Sequence, residues 1–229
     1  MPLVVIELKS TVRENISLID GYNQIKGYQE VHIPTLFYYN QILVVSDGVQ
    51  ARAGTITSPW SRFSEWKKVE DDDLVLDRMA THDTLFKGMF RKNRILDIIK
   101  NYILYNDNAK ILSAYHQYFG VKKAIDSTMK AIYENSKKAG IVWHTQGSGK
   151  SFSMVFYTGN MISHLNNPTI IVVTDRNDLD NQLFSTFSKC DYYLRQSATQ
   201  IESREDLNIK LNQRKSGGIF FTTLQKFEE

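Results

Sequence analysis

Four short stretches of the chain are almost continuously apolar: residues 3–8, 139–143, 168–174 and 218–223. Runs of this length, bounded by glycine, proline or polar residues, suit strands buried on both faces. Behind the second run, Phe152, Val155, Phe156, Ile162 and Leu165 recur at mostly helical spacing. Asn177 or Asp178 caps a further helix reaching about residue 189, and Ser203 with Asp206 opens another carried by Leu207 and Leu211. Strands alternating with helices predict a parallel α/β sheet for this half of the chain. The first half is more mixed. Residues 13–30 carry a helical pattern through Ile16, Ile19 and Ile25, interrupted near Gly21. Residues 36–39 and 42–45 read as short strands of a hairpin turning at Asn40-Gln41, with a second turn at Asp47-Gly48. Trp60, Phe63 and Trp66 stand at helical spacing and read as core. Helices are expected through Leu85, Phe86, Met89, Phe90, Ile95, Ile98 and Ile99, and again over residues 115–131. The acidic run 70–73 reads as a solvated boundary, which divides the chain into 1–70, a helical linker 71–110, and 111–229.

Composition narrows the class without naming it. The chain has 229 residues, 42% hydrophobic and 23% charged, as in ordinary globular proteins with room for one large or two small cores. A formal charge of +3 is mildly basic, which permits nucleic acid as a partner without requiring it. Cys190 is the single cysteine, so no internal disulfide is possible and the cytoplasm is the expected compartment. No apolar run approaches the ~18 residues of a membrane span, and residues 1–3 lack the basic start of a signal peptide.

The densest chemistry lies in Thr145-Gln146-Gly147-Ser148-Gly149-Lys150-Ser151, directly after an apolar run and before a helix. Gly147 and Gly149 clear side chains from backbone N–H groups that can wrap a phosphate chain. Lys150 supplies a point charge for the β and γ phosphates and Ser151 a hydroxyl for Mg²⁺. The general phosphate-loop pattern has a glycine where this chain has His144. Glu7 and Lys9 lie two apart on the first apolar run and so project from one face. There a carboxylate can hold Mg²⁺ while an ammonium neutralises a scissile phosphate, although the same pair is common as a solvated strand-end ion pair. Gln24 and Tyr28 are four apart and share a helix face. Gln117 has an amide complementary to the adenine edge. Arg52, and a basic face of Lys87, Arg91, Lys92 and Arg94, suit either a DNA backbone or solvent. Asp175, ending the third apolar run, is either a helix cap or the Mg²⁺ carboxylate of a small P-loop phosphotransferase.

Taken in order, these motifs resemble the restriction (motor and nuclease) subunit of type I restriction-modification enzymes. Residues 3–9 are similar to the Glu-x-Lys half of that family's nuclease centre, and Gln24 and Tyr28 to its Gln-x-x-x-Tyr motif. Residues 115–117 resemble its adenine-reading motif, 145–151 superfamily-2 helicase motif I, the stretch from Thr174 motif Ia, and 222–227 motif Ib. The resemblance implies an α/β chain made of the C-terminal part of a PD-(D/E)xK-type nuclease domain followed by an incomplete RecA-like superfamily-2 helicase lobe. It implies Glu7, Lys9, Gln24 and Tyr28 as catalytic residues and Glu7 and Ser151 as metal ligands. Gln117 and residues 145–151 are the implied ATP site, with Arg176, Thr222 and Thr223 as DNA contacts. The implied cofactors are ATP and Mg²⁺; the implied partners are double-stranded DNA and the methylation and specificity subunits. The family's upstream nuclease Asp and its downstream Asp-Glu-x-His motif have no counterpart in this sequence. The isolated chain is therefore expected to bind ATP weakly and neither to translocate nor to cut DNA. A nucleotide- or DNA-binding assembly fragment without catalysis is the alternative.

Overall fold

The computed structural model describes residues 1–10, 17–75, 80–175, 177–212 and 214–228. The fold is mixed α/β and divides into two compact units, Met1–Leu104 with Asn108–Phe119, and Tyr105–Asp107 with Gly120–Glu229.

The first unit is organised on a three-stranded sheet. Strand β1 (Val4–Leu8) is followed by helix α1 (Leu18–Gly27), which runs into a single π turn over Tyr28–His32 and a 3-10 turn over Pro34–Phe37. Strands β2 (Ile42–Ser46) and β3 (Ala51–Gly54) complete the sheet in the order β1-β2-β3. β1 runs parallel to β2, pairing Val4 with Ile42 and Glu7 with Val45, while β3 is antiparallel to β2. A parallel pair needs a crossover, and α1 lies within that connection. All of β2 is buried, which explains its unbroken Ile-Leu-Val-Val run. Ile25, Phe37, Leu43, Val45 and Phe63 form the core under α1, with Tyr22, Tyr28 and Trp60 packed at its margin.

Three expectations are corrected here. Residues 36–39 are not a strand: they fall at the end of the 3-10 turn Pro34–Phe37, and the partners of β2 are β1 and β3. Asn40, instead of turning a hairpin, is buried and donates to the Ile42 carbonyl at 3.0 Å. Gly21 does not interrupt α1, which is continuous through it; the part of the expected helix over residues 13–16 lies outside the described residues. The helical spacing of Trp60, Phe63 and Trp66 yields only a short 3-10 turn, Trp60–Arg62, yet Phe63 and Trp66 are core residues. The Asp47-Gly48 turn is present, its Asp47 Oδ1 accepting from the N–H groups of Val49 and Gln50. Beyond it come α2 (Thr81–Thr84), α3 (Lys92–Asn101), and a two-stranded sheet of β4 (Ile103–Asn106) and β5 (Ala109–Leu112). Glu70 is held by Arg91 and Arg94 rather than only solvated. Helix α4 (Tyr115–Tyr133) follows.

In the second unit α5 (Lys150–His164), β6 (Ile170–Thr174), α6 (Asn177–Ser188), α7 (Asp191–Leu194), β7 (Ala198–Gln200), α8 (Arg204–Asn212), β8 (Ile219–Thr223) and α9 (Gln225–Glu228) follow in turn. The sheet order is β6-β8-β7 and both pairings are parallel. Successive β8 residues point to opposite faces. Phe221 meets Phe184 and Phe187 of α6 at ring distances of 5.6 and 5.0 Å, while Phe220 packs with Leu207 and Leu211 of α8. Helices therefore cover both faces of β8. The expected strand over 139–143 is absent: Gly140 takes a φ of +131°, incompatible with a continuing extended strand, and Ile141 and Trp143 are 97% and 81% exposed. Its apolar character does not bring it into the sheet.

Candidate functional site

Two clusters gather the residues singled out by sequence. The first lies on the α1 face of the β1-β2-β3 sheet. Glu7 and Lys9 project together, with Lys9 Nζ 3.0 Å from Glu7 Oε1, and both side chains are largely covered. Lys9 also donates to Gln24 Oε1, and Gln24 Nε2 donates to the Tyr28 hydroxyl. Because an ammonium can only donate, the Gln24 amide has one allowed orientation, oxygen to Lys9 and nitrogen to Tyr28. Glu7, Lys9, Gln24 and Tyr28 thus form one directed chain of carboxylate, ammonium, amide and phenol. The first turn of α1 is held by Ser17 and Asp20, whose carboxylate accepts from the Ser17 N–H at 2.7 Å and hydroxyl at 2.9 Å. These bonds hold the Asp20 carboxyl below its ordinary range, which favours the charged form at the positive end of the helix.

Arg52 shares the cross-strand row of Glu7 and Val45. Its guanidinium lies over the Trp60 ring, 5.0 Å from its centroid, and reaches Glu65 at 3.7 Å, so it is engaged rather than projecting freely. Ser46 and His82 stand 2.7 Å apart, which at first sight suggests a nucleophile and its base. The hydroxyl donates to the Gln50 carbonyl at 2.8 Å, however, so the imidazole Nδ1 is the donor to Ser46 and cannot deprotonate it. Cys190 is likewise no nucleophile, since burial pushes its thiol up.

Which residues would hold Mg²⁺ follows from the donor set. Among the described residues no group of three or more His, Cys, Asp or Glu side chains stands together. Mg²⁺ accepts one or two carboxylates together with waters and substrate phosphates, and Glu7 fits as one such ligand.

The second cluster is the loop before α5. Gly147 and Gly149 have φ of +79° and +81°, a left-handed backbone that other residues rarely adopt. Around Gly147 there is open space on the side where a Cβ would stand. Gly149 is the N-cap of α5, so the helix opens at Lys150 with its N-terminal dipole directed at the loop. Lys150 Nζ donates to the loop carbonyls of His144 and Thr145 at 3.1 and 3.0 Å, and Ser148 Oγ donates to Thr145 O at 2.8 Å. Lys150 is exposed, Ser151 half-buried and Gln146 exposed. The loop fits a phosphate chain: the ammonium is held by neutral carbonyls that an anion can replace. Beside it, α4, α5 and residues 139–144 enclose a cavity of about 620 Å³ lined by Val121, Met154, Tyr157, Trp143 and Lys150 among others, within the size range of ligand pockets.

The remaining site residues are placed differently. Gln117 is 6% exposed and its Oε1 accepts from the Ala114 N–H at 2.9 Å, so this oxygen serves the start of α4. Thr222 and Thr223 are buried within β8, where their side chains present no surface to DNA. Arg176 lies outside the described residues. Missed by the sequence reading was Asp180, a buried carboxylate accepting from Thr174 Oγ1 at 3.2 Å and Gln200 Nε2 at 2.7 Å, which ties α6 to the carboxyl ends of β6 and β7. Its only sequence signal was a polar residue at a helical position two residues after Asp178.

Comparison with known proteins bears on both clusters. Residues 1–62 match the family model described as type I restriction enzyme R protein N terminus, and residues 116–229 that described as SWI2/SNF2 ATPase. The chain is 44% identical to the type I restriction enzyme HindI endonuclease subunit of Haemophilus influenzae, over 99% of this chain and 22% of the relative. It is 36% identical to the putative type I restriction enzyme MjaIXP endonuclease subunit of Methanocaldococcus jannaschii, over 99% of this chain and 23% of the relative. A Staphylococcus aureus relative, the type I restriction enzyme SauCOLORF180P endonuclease subunit, is 28% identical over 99% of this chain and 23% of its own length. The chain therefore spans less than a quarter of these relatives.

Proposed function

Because the chain belongs to the family of type I restriction enzyme endonuclease subunits, we propose that it supplies a DNA-cleaving centre and the phosphate loop of an ATP-driven DNA motor. Residues 1–70 are assigned to part of a PD-(D/E)xK-type nuclease domain, 71–110 to a linking region, and 111–229 to part of a RecA-like superfamily-2 lobe. The observation that carries the reading is the directed chain Glu7–Lys9–Gln24–Tyr28 on one sheet face. The parallel β6-β8-β7 sheet after the α5 loop supports the motor half.

In the nuclease centre Glu7 is one ligand of a Mg²⁺ ion, whose chemistry when bound is to offset the negative charge of the scissile phosphate. Lys9, paired with Glu7 and aimed by Gln24, stands against that phosphate or orients the attacking water. Tyr28 accepts from Gln24 and so fixes the amide that fixes the lysine. At the motor loop Lys150 exchanges its carbonyl partners for the ATP phosphates, and Ser151 is the hydroxyl nearest in sequence for the nucleotide's Mg²⁺. Double-stranded DNA is the substrate, the methylation and specificity subunits are the partners, and the cytoplasm is the compartment. None of the described helices is long and apolar enough to cross a membrane.

The test is Mg²⁺-dependent plasmid cleavage and ATP hydrolysis by the restriction complex whose endonuclease subunit carries this sequence. Glu7→Gln and Lys9→Ala each lower cleavage by about 100-fold or more while ATP hydrolysis continues, and Lys150→Ala abolishes hydrolysis. Undiminished cutting by Glu7→Gln and Lys9→Ala would remove the nuclease assignment.

A further inference from the structure

We infer that Gly21 is a positioning residue of the cleavage centre, the close-approach point that lets α1 deliver Gln24 to Lys9. The inference rests on the nuclease reading above. A Cβ placed on Gly21 would stand 3.0 Å from Val45 Cγ1, 3.5 Å from Lys9 Cγ and 3.6 Å from Glu7 Cγ. Each of those atoms belongs to the sheet face that carries the site. Gly21 is one helical turn before Gln24 and two before Tyr28, on the same side of α1. It is therefore a point of close approach to the Glu7 and Lys9 side chains on the helix that carries Gln24 and leads into Tyr28.

Two further observations separate close approach from other uses of glycine. Gly21 is not among the glycines with positive φ, so its backbone is ordinary helix and any residue could adopt it. Gly27, in the same helix, has only His32 Cδ2 at 3.9 Å in front of its missing Cβ. Crowding is thus specific to the position over the site. A helical glycine is also disfavoured against alanine. Alanine at 21 should then leave the helix no less stable while lifting it from the sheet by a few tenths of an ångström. The Lys9–Gln24 bond is the first interaction to lengthen, and with it the aim of the ammonium.

The experiment compares Gly21→Ala, Val45→Ala and the double variant in the complete restriction complex, with melting temperature, ATP hydrolysis and single-turnover DNA cleavage measured on each. Gly21→Ala is expected to cut about tenfold more slowly at saturating DNA, a loss in kcat rather than KM, with hydrolysis unchanged and melting temperature equal or higher. The double variant, with room made at Val45, should recover to within about threefold of Val45→Ala alone. Wild-type cutting by Gly21→Ala overturns the inference, as does a loss that the double variant does not recover or one that follows a lowered melting temperature. Glu7→Gln and Lys9→Ala run in parallel: if they are inactive while Gly21→Ala is normal, only the positioning role falls. If they cut normally, the nuclease reading falls and the inference with it.

Discussion

Lys110 offers a measurement that needs neither DNA nor nucleotide. It lies in β5, 3% exposed, with Nζ donating to the Asn40 carbonyl at 2.7 Å, and its backbone N–H and carbonyl are tied to Thr57 and Thr55 at 2.7 Å each. Burial pushes its ammonium down from 10.5 to about 8. Below pH 8 the group is charged in both the folded and unfolded chain, and folding bears the cost of burying that charge. Between about 8 and 10.5 the unfolded chain holds the extra proton, so stability rises with pH; above 10.5 the cost is gone. At about 1.4 kcal/mol per pH unit, the whole rise has a ceiling of about 3 kcal/mol. Other lysines and tyrosines titrate in the same window, so the informative quantity is a difference. Urea unfolding of the wild type and of Lys110→Met at pH 7, 8, 9 and 10 should show the wild type gaining on the variant by about 2 kcal/mol across that series. A difference flat within about 0.5 kcal/mol would mean that the ammonium reaches water and that the β5 anchoring of Asn40 is wrong.

Two further substitutions probe how the structure places side chains. Thr222 Oγ1 is buried with no hydrogen-bond partner, so Thr222→Val should be neutral or stabilising by about 1 kcal/mol in denaturant unfolding; a loss of more than about 1 kcal/mol would show that the hydroxyl is satisfied. Trp143→Ser should change stability by less than about 0.5 kcal/mol because the indole is exposed, whereas a loss of about 3 kcal/mol would mark residues 139–143 as a packed strand after all.

The elements legible in the sequence were those whose own side chains carry the signal. β6 and β8 are β-branched and aromatic runs between turn residues, and α5 follows its loop at helical spacing. Others exist only through their neighbours. Ala51-Arg52-Ala53-Gly54 has no strand-forming residue beyond its place opposite β2 and the bridge from Ala53 to Ser64, and β7 is three residues held parallel to β8. Pairing is a tertiary event, so local propensity is silent about it. The β4–β5 hairpin was missed, because residues 71–110 read as a helical linker; in the structure Asp107 takes a φ of +51° between the two strands. Residues 139–143 failed in the opposite way. Composition called for burial, but nothing local could say that Gly140 would take the chain out of extended geometry.

The site shows the same division at finer scale. Glu7-x-Lys9 and Gln24-x-x-x-Tyr28 were each readable because period 2 on a strand and period 3.6 on a helix are properties of the local backbone. That the two pairs form one chain was not readable, since Lys9 and Gln24 meet only if α1 lies unusually close to β1. Closeness is decided by the smallest residue on the facing side of the helix. The sequence pattern marked Gly21 as a break in the helix, on the general ground that glycine weakens helices. In the structure the helix continues and the missing Cβ is what the neighbouring strands occupy, with Val45 Cγ1 at 3.0 Å. A helix-weakening residue in a buried position, one turn before a polar site residue, is better read as a contact than as a punctuation mark. Buried polar chains of this kind are costly when half-formed, so a residue that sets the distance between their two halves bears on the aim of Lys9 without touching the substrate.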